Sequence, residues 1–96
     1  MFKISYTKQY LKDLELMKKR GLPKSELDEV VKLLSEGKPL AAHHKDHPLK
    51  GKLNKYRECH IRPNWLLIYK IDNQIITLIL TRTGTHSDLF GKNRKI

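Results

Sequence analysis

The order of apolar patterns along the chain constrains the fold more than any other feature of the sequence. An alternating segment, residues 1–6, precedes two stretches with apolar residues at helical spacing, and three β-like segments follow. The first helical stretch ends near Gly21, and the second begins at Pro23 and ends before Gly37. Because no strand lies between the two predicted helices, they must share one face of a sheet, which leaves the other face free for function.

The C-terminal half predicts a three-strand meander. Its strands are expected at residues 55–62, 65–71 and 74–83, and the last contains an apolar run that is typical of a central strand. The predicted fold is therefore α+β: an N-terminal strand and a two-helix hairpin packed on one face of an antiparallel sheet, which the meander completes. The 96 residues predict a single domain, 1–96, with 91–96 as a flexible basic tail.

Composition excludes several classes of protein. The longest apolar run, residues 75–80, is too short to cross a bilayer, and Lys3, Lys8 and Lys12 interrupt the N-terminus before any signal-peptide core. A single cysteine, Cys59, excludes a disulfide scaffold and a multi-thiolate zinc site. We therefore expect a cytoplasmic protein that does not associate with membranes.

The net charge of +10 at pH 7 favours a polyanionic partner, either nucleic acid or an acidic protein segment. The charge is unevenly distributed: residues 1–42 carry nine basic and six acidic side chains, and residues 43–96 carry eleven and four. The positive surplus thus belongs mainly to the predicted loop and sheet rather than to the helices.

All five histidines lie in the basic second half, and they indicate acid–base chemistry on RNA. Imidazole has an ordinary pKa of about 6.5, so it can both accept and donate a proton near neutrality. One ring could take the proton of a ribose 2′-OH, and another could protonate the leaving 5′-oxygen, while cations neutralise the phosphodiester. The strongest candidates are His47, His60 and His86, whereas His43 and His44 are more typical of solvated loop residues.

A zinc site is the competing interpretation of the histidines. His44 and His47 have a ligand-like spacing, and His60 could supply a third ligand. However, no cysteine pair and no His-Glu-x-x-His helix accompanies them. We therefore predict no metal and no cofactor.

Three segments taken together resemble the YafQ branch of the RelE/ParE toxin superfamily. In chain order they read KDHPLKG (45–51), YRECHIRPNWLLIY (56–69) and RTGTHSDLF (82–90), and the resemblance covers nearly the whole chain. It implies a type II toxin, a ribosome-dependent endoribonuclease that cuts mRNA. It also implies a cognate RelB/DinJ-like antitoxin as partner, with operator DNA bound only through the toxin–antitoxin complex.

The resemblance also implies roles for individual residues. His86 would be the general acid, His47 or His60 the base or an electrostatic partner, and Arg82 a clamp on the scissile phosphate. Trp65, which we expect to be more exposed than Tyr69, and Phe90 would line the site. The other predicted RNA-binding side chains are basic or polar neighbours: Lys45, Lys50, Lys52, Arg57, Arg62 and Asn64.

Asn64 departs from the family pattern, which has an aspartate at this position. An amide cannot act as a base or hold an imidazolium by charge, but it keeps the hydrogen-bonding shape. We therefore expect a histidine alone to supply the base; the alternative is reduced activity. Two other functions stay open at this point: a ParE-like gyrase inhibitor, and a catalytically weakened module that binds RNA or the antitoxin.

Overall fold

The computed structural model describes residues 1–91, which form a sheet with two long helices and one short helix. The strands are β1 (Lys3–Tyr6), β2 (His47–Pro48), β3 (Arg57–Arg62), β4 (Trp65–Asp72) and β5 (Thr77–Gly84). The helices are α1 (Lys8–Lys19), α2 (Lys24–Ser35) and α3 (His86–Phe90). None of the helices in this part of the chain is long and apolar enough to cross a membrane. Except for Gly91, the predicted basic tail lies outside the described residues.

The five strands are arranged in the order β1-β5-β4-β3-β2. Strands β2 to β5 pair antiparallel, but β1 pairs parallel to β5, with Lys3 opposite Thr77. The predicted α+β architecture is confirmed, with the difference that the sheet is mixed rather than antiparallel. The parallel pair arises because the chain enters β3 in the direction of β1, and the two reversals of the meander restore that direction in β5.

Both long helices bury the apolar stripes that their spacing predicted. Leu14 and Met17 of α1 and Leu27 of α2 pack against the sheet in the main core. Helix α1 begins at Thr7, whose side chain accepts the Tyr10 backbone N–H at 3.0 Å and donates to a β5 carbonyl at 2.7 Å. The start of the helix is therefore tied directly to the central strand.

The connection between β4 and β5 is longer than the predicted two-residue turn. Asp72 accepts the backbone N–H groups of Gln74 and Ile75, and β5 begins only at Thr77. Ile75 and Ile76 are 60% and 55% exposed, and Ile76 has a positive φ of 48°. The first two residues of the apolar run thus belong to a turn, although β5 does occupy the predicted central position.

The sheet face opposite α1 and α2 is not entirely free. Leu66 and Ile68 of β4 form a second, smaller core with Leu89 of α3. Leu49 and Phe90 pack at its edge, partly buried. The loop before β3 and helix α3 therefore cover part of this face and frame the open remainder.

Candidate active site

Three histidines and one glutamate converge on the sheet face opposite α1 and α2. Successive side chains of a strand alternate between faces, and Cys59 and Ile61 of β3 belong to the helix-side core. Glu58 and His60, the alternate residues, therefore project to the other face. The pairing of β2 with β3 then places His47 directly opposite Glu58.

His60 is held at both ring nitrogens. Its Nδ1 lies 3.2 Å from the Pro63 carbonyl oxygen, and its Nε2 lies 3.4 Å from a carboxylate oxygen of Glu58. The Glu58 side chain is only 7% exposed, whereas that of His60 is 13% exposed. A nearly buried carboxylate is thus the immediate neighbour of the histidine in the middle of the cluster.

His47 reaches the same carboxylate from the β2 side. Its Nδ1 donates to the Lys45 carbonyl oxygen at 2.6 Å, and its Nε2 lies 3.8 Å from Glu58. The side chain is 49% exposed, far more than that of His60. His47 therefore forms the solvent side of the cluster.

His86 enters the cluster from the first turn of α3. Thr85 and Asp88 form a reciprocal capping box that fixes the start of this helix. The His86 ring lies 5.7 Å from the His60 ring, and Phe90, one turn later, lies 6.4 Å away. The cap thus sets the direction in which His86 meets the other histidines.

Asn64 supports His86 with one oxygen atom. Asn64 Oδ1 lies 3.3 Å from the His86 backbone nitrogen and 3.4 Å from its Nδ1. The backbone N–H is a donor, so the amide oxygen must face it, and the ring must then donate from Nδ1. Asn64 thereby selects the His86 tautomer with the proton on Nδ1.

All three rings consequently present the same atom for chemistry. The Nδ1 of each lies against an oxygen that can only accept: the carbonyls of Pro63 and Lys45, and Asn64 Oδ1. The Nε2 atoms are then the ones that can exchange a proton with a ligand. A cavity of about 300 Å³ opens beside them, lined by His47, Pro48, Leu49, Lys50, Glu58, His86 and Phe90.

Trp65 does not lie where we expected it. It is 2% exposed, lies in the helix-side core, and donates from Nε1 to Thr83 Oγ1 at 2.9 Å. A register shift between His60 and Arg62, just before the turn from β3 to β4, accompanies the orientation of Trp65 toward the helix-side core. In this conformation Trp65 cannot stack on a base.

The arginines predicted to bind RNA are engaged with carboxylates. Arg57 Nε lies 3.2 Å from Asp46, and Arg62 donates two hydrogen bonds to Glu26, at 2.9 and 2.7 Å. Arg82 is 8% exposed and donates from Nε and Nη2 to Asp13 of α1, at 2.9 and 3.0 Å. A phosphate would therefore share Arg82 with that carboxylate, and the clamp role stays a prediction.

The predicted lysines are differently placed. Within residues 1–91, no ion pair involves Lys45, Lys50 or Lys52, and all three are exposed. Lys50 lines the cavity of the histidine cluster. Lys70, which the sequence did not single out, lies 5.4 Å above the Tyr56 ring. Positive charge that is available to a polyanion thus resides on lysines.

Sequence reasoning missed Glu58. The residue stands two positions before His60 on a strand, and this spacing alone places the two side chains on one face. The zinc arrangement weighed from the sequence does not form, because His44 Nδ1 lies 2.6 Å from the His60 carbonyl oxygen. Among residues 1–91, the group able to hold a metal ion is instead Glu58, His60 and His86, whose ligand atoms lie within 4.8 Å of one another.

A two-helix layer on a five-stranded mixed sheet, with histidines on the opposite face, matches what the resemblance implied: a toxin of the RelE/ParE class. Residues 2–91 match the family described as bacterial toxin of type II toxin-antitoxin system, YafQ. The chain therefore belongs to the YafQ toxin family.

Individual relatives agree with this assignment. The chain is 43% identical over 89 residues to the mRNA interferase toxin YafQ of Escherichia coli K12, covering 92% of this chain and 95% of the relative. The toxin in the E. coli DinJ-YafQ toxin-antitoxin complex superposes with a TM-score of 0.85 at 43% identity, covering 94% and 98% of the two chains. A metal-bound toxin from Helicobacter pylori superposes with a TM-score of 0.89 at 47% identity, covering 94% and 100%.

Proposed function

We propose that this protein cleaves mRNA in the translating ribosome by metal-free proton transfer between histidines. Family membership gives the class of activity, that of an mRNA interferase, which is an endoribonuclease. The observation that carries the mechanism is the common arrangement of His47, His60 and His86, each with Nδ1 against an acceptor oxygen, which leaves Nε2 of His47 and His86 for proton transfer. The gyrase-inhibiting alternative has no such requirement for clustered imidazoles.

The reaction needs one base and one acid. His47 Nε2 takes the proton of the 2′-OH, the 2′-oxygen bonds to phosphorus, and the phosphorus–O5′ bond breaks. His86 acts as the acid in its imidazolium form, which carries a proton on both nitrogens: it gives the Nε2 proton to the departing 5′-oxygen and leaves a 2′,3′-cyclic phosphate on the upstream fragment. His47 suits the role of base because it lies at the solvent side and its Nε2 is 3.8 Å from Glu58, beyond hydrogen-bond length.

His60 acts as an electrostatic partner in this scheme. When its ring is protonated, the Nε2–H is shared with Glu58 at 3.4 Å, and the cation faces the phosphate between the other two rings. Lys45, Lys50 and Lys52 form no ion pair within residues 1–91, so they supply further positive charge without having to leave a carboxylate there. Charge that develops on the phosphate oxygens is stabilised best by groups already in place.

The ribosome and the antitoxin complete the proposal. The cavity of about 300 Å³ is open, so the chain relies on the ribosome to position mRNA, and the net charge of +10 favours contact with ribosomal RNA. The protein's partner is an antitoxin of the DinJ type, as in the E. coli complex. Operator DNA is contacted through that complex, and the toxin acts in the cytoplasm.

Induced expression with primer extension on a reporter mRNA tests the function. We expect growth arrest and cuts at fixed codon positions with the wild type, and loss of both with His86→Ala. His43→Ala is the matched control, since His43 is exposed and its ring contacts the ring of His44. Arrest that persists in His86→Ala without cuts would contradict the ribonuclease mechanism and call for a gyrase supercoiling assay.

An assay with purified components tests whether cleavage requires the ribosome. Programmed ribosomes should be cut by the wild type, and the same mRNA without ribosomes should remain intact. Equal cleavage of the two substrates would remove the ribosome from the proposal but leave the histidine mechanism standing.

A further inference from the structure

We propose that Asp46 is a positioning residue that fixes His47 for proton transfer, with the Tyr69 hydroxyl and Arg57 as its two anchors. The inference rests on the proposed role of His47 as the base. It assigns a role to Asp46, to which neither the sequence analysis nor the proposed reaction gives one. It also gives Arg57 a role other than binding RNA.

A fully buried tyrosine reaches Asp46 from the sheet. The Tyr69 hydroxyl donates to Asp46 Oδ1 at 2.6 Å, and Arg57 Nε donates to the same oxygen at 3.2 Å. A short bond to an ionised acceptor is among the stronger hydrogen bonds in proteins. Burial, and then the bond to Asp46, raises the pKa of Tyr69, so the hydroxyl keeps its proton and remains a donor.

The restraint on Asp46 passes directly to its neighbour. Lys45, on the other side of Asp46, has a φ of 48°, in the left-handed region that side-chain-bearing residues rarely adopt. This conformation turns the Lys45 carbonyl toward His47 Nδ1, 2.6 Å away. A strained residue persists only where its surroundings hold it, and the anchored Asp46 is the adjacent restraint.

The consequence for His47 is a fixed ring direction. With Nδ1 bonded to Lys45, Nε2 points into the cluster, 3.8 Å from Glu58. If Asp46 loses its anchors, the loop can relax from the left-handed conformation and the ring can turn. Misplacement of a reacting group by about 1 Å can cost roughly 100-fold in rate. Because His47 acts in the proton-transfer step, the loss should appear in kcat rather than in KM.

Three variants test the proposal in the ribosome cleavage assay. Asp46→Ala should lower kcat by about 100-fold with KM changed less than about twofold, and Tyr69→Phe, which keeps the Arg57 contact, by about tenfold. Asp46→Asn should restore most of the rate, because its amide oxygen accepts from both anchors. Tyr10→Phe, in a tyrosine 4% exposed on the helix side, is the matched control and should keep the wild-type rate.

A double mutant separates positioning from simple stabilisation. In a His47→Ala background, Asp46→Ala should cause no further loss, because residues that act as a unit are not additive. Equal losses in the two backgrounds would overturn the proposal, and so would an Asp46→Asn variant as slow as Asp46→Ala.

NMR of the histidine ring nitrogens gives a readout that needs no cleavage. The His47 Nδ1–H signal should be lost or shifted in Asp46→Ala, and the His60 signal should stay. An unchanged His47 signal would overturn the proposal even if the rate falls. A wild type that cuts nothing would refute the proposed function alone, since the ring signals still decide whether Asp46 orients His47.

Discussion

The ion pair between Arg20 and Asp88 links helix α3 to the end of α1, and the lowered pKa of Asp88 limits the free energy of unfolding that this pair contributes. Arg20 Nη1 and Nη2 donate to the two oxygens of Asp88 at 2.7 and 3.2 Å. The hydrogen bond from Arg20, and then the hydrogen bonds with Thr85, lower the pKa of Asp88 from 3.8 to about 2. At 1.36 kcal/mol per pKa unit this shift has an upper limit of about 2.4 kcal/mol. Because the Arg20 side chain is 40% exposed, solvent screening reduces it to about 1–1.5 kcal/mol.

Asp88→Asn isolates this ion pair. The amide oxygen can still accept the Thr85 backbone N–H, which Asp88 accepts at 2.9 Å, so the helix cap survives while the charge is lost. We expect the free energy of unfolding at pH 7 to fall by about 1–1.5 kcal/mol, and Tm by roughly 4–8 °C for each kcal/mol.

The same substitution changes the dependence of stability on pH. A depressed carboxyl pKa contributes stability that is fully present above the unfolded value, near 4, and is lost as pH falls through the folded value, about 2. The wild type and Asp88→Asn should therefore differ at pH 7 and converge as the pH approaches 2.

Urea unfolding followed by the fluorescence of the single tryptophan, which is buried in the core, measures the difference at pH 7, 4 and 2.5. Lys24→Gln is the control, since it removes an exposed i,i+4 pair with Asp28 and should cost no more than about 0.5 kcal/mol. A loss in Asp88→Asn that is as large at low pH as at pH 7 would show that the Arg20 ion pair is not its cause. No loss at pH 7 would refute the estimate itself.

Three further predictions concern the buried ion pair and the histidine cluster. Asp13→Ala removes the two hydrogen bonds that the buried Arg82 guanidinium donates to this carboxylate, so the free energy of unfolding should fall by about 3–5 kcal/mol in a denaturant titration. A chelator selective for transition metals, with Mg²⁺ kept for the ribosome, should leave the cleavage rate unchanged. Added Zn²⁺ should inhibit by capturing Nε2 atoms; this inhibition should weaken from pH 7.5 to 5.5, where protons compete, and be much reduced in His86→Ala. Asn64→Ala frees His86 Nδ1 and should slow cleavage about tenfold, while Asn64→Asp should cut at near the wild-type rate, as primer extension would show.

Local patterns were sufficient for the parts of the fold that depend on near neighbours. The helical stripe through Leu14 and Met17 and the caps at Thr7 and Gly21 each involve contacts within one or two turns, so the spacing of residue types determines them. The parallel pairing of β1 with β5 joins residues more than seventy positions apart along the chain. No periodicity within either strand carries that information.

The same limit explains the errors at the site. Trp65 follows a turn, and its placement depends on the register shift in β3 and on Thr83, a partner from another strand. Glu58, by contrast, could have been found, because strand alternation alone places it beside His60. A search restricted to histidines and lysines does not consider Glu58, although its carboxylate lies near the rings of both His47 and His60.

The described arginines show why the predicted RNA-binding set was only partly useful. Each arginine in residues 1–91 contacts a carboxylate that is distant in sequence: Arg20 with Asp88, Arg57 with Asp46, Arg62 with Glu26 and Arg82 with Asp13. A planar guanidinium matches a carboxylate with two directed bonds, whereas an ammonium is a compact charge on a flexible stem. Arginine therefore suits fixed links between elements, and lysine suits a surface that must attract a polyanion in many registers. Lysine and arginine count equally in the net charge, so the excess of positive charge predicts a polyanionic partner. Only the ion pairs in the structure show which of these cations remain available to bind that partner.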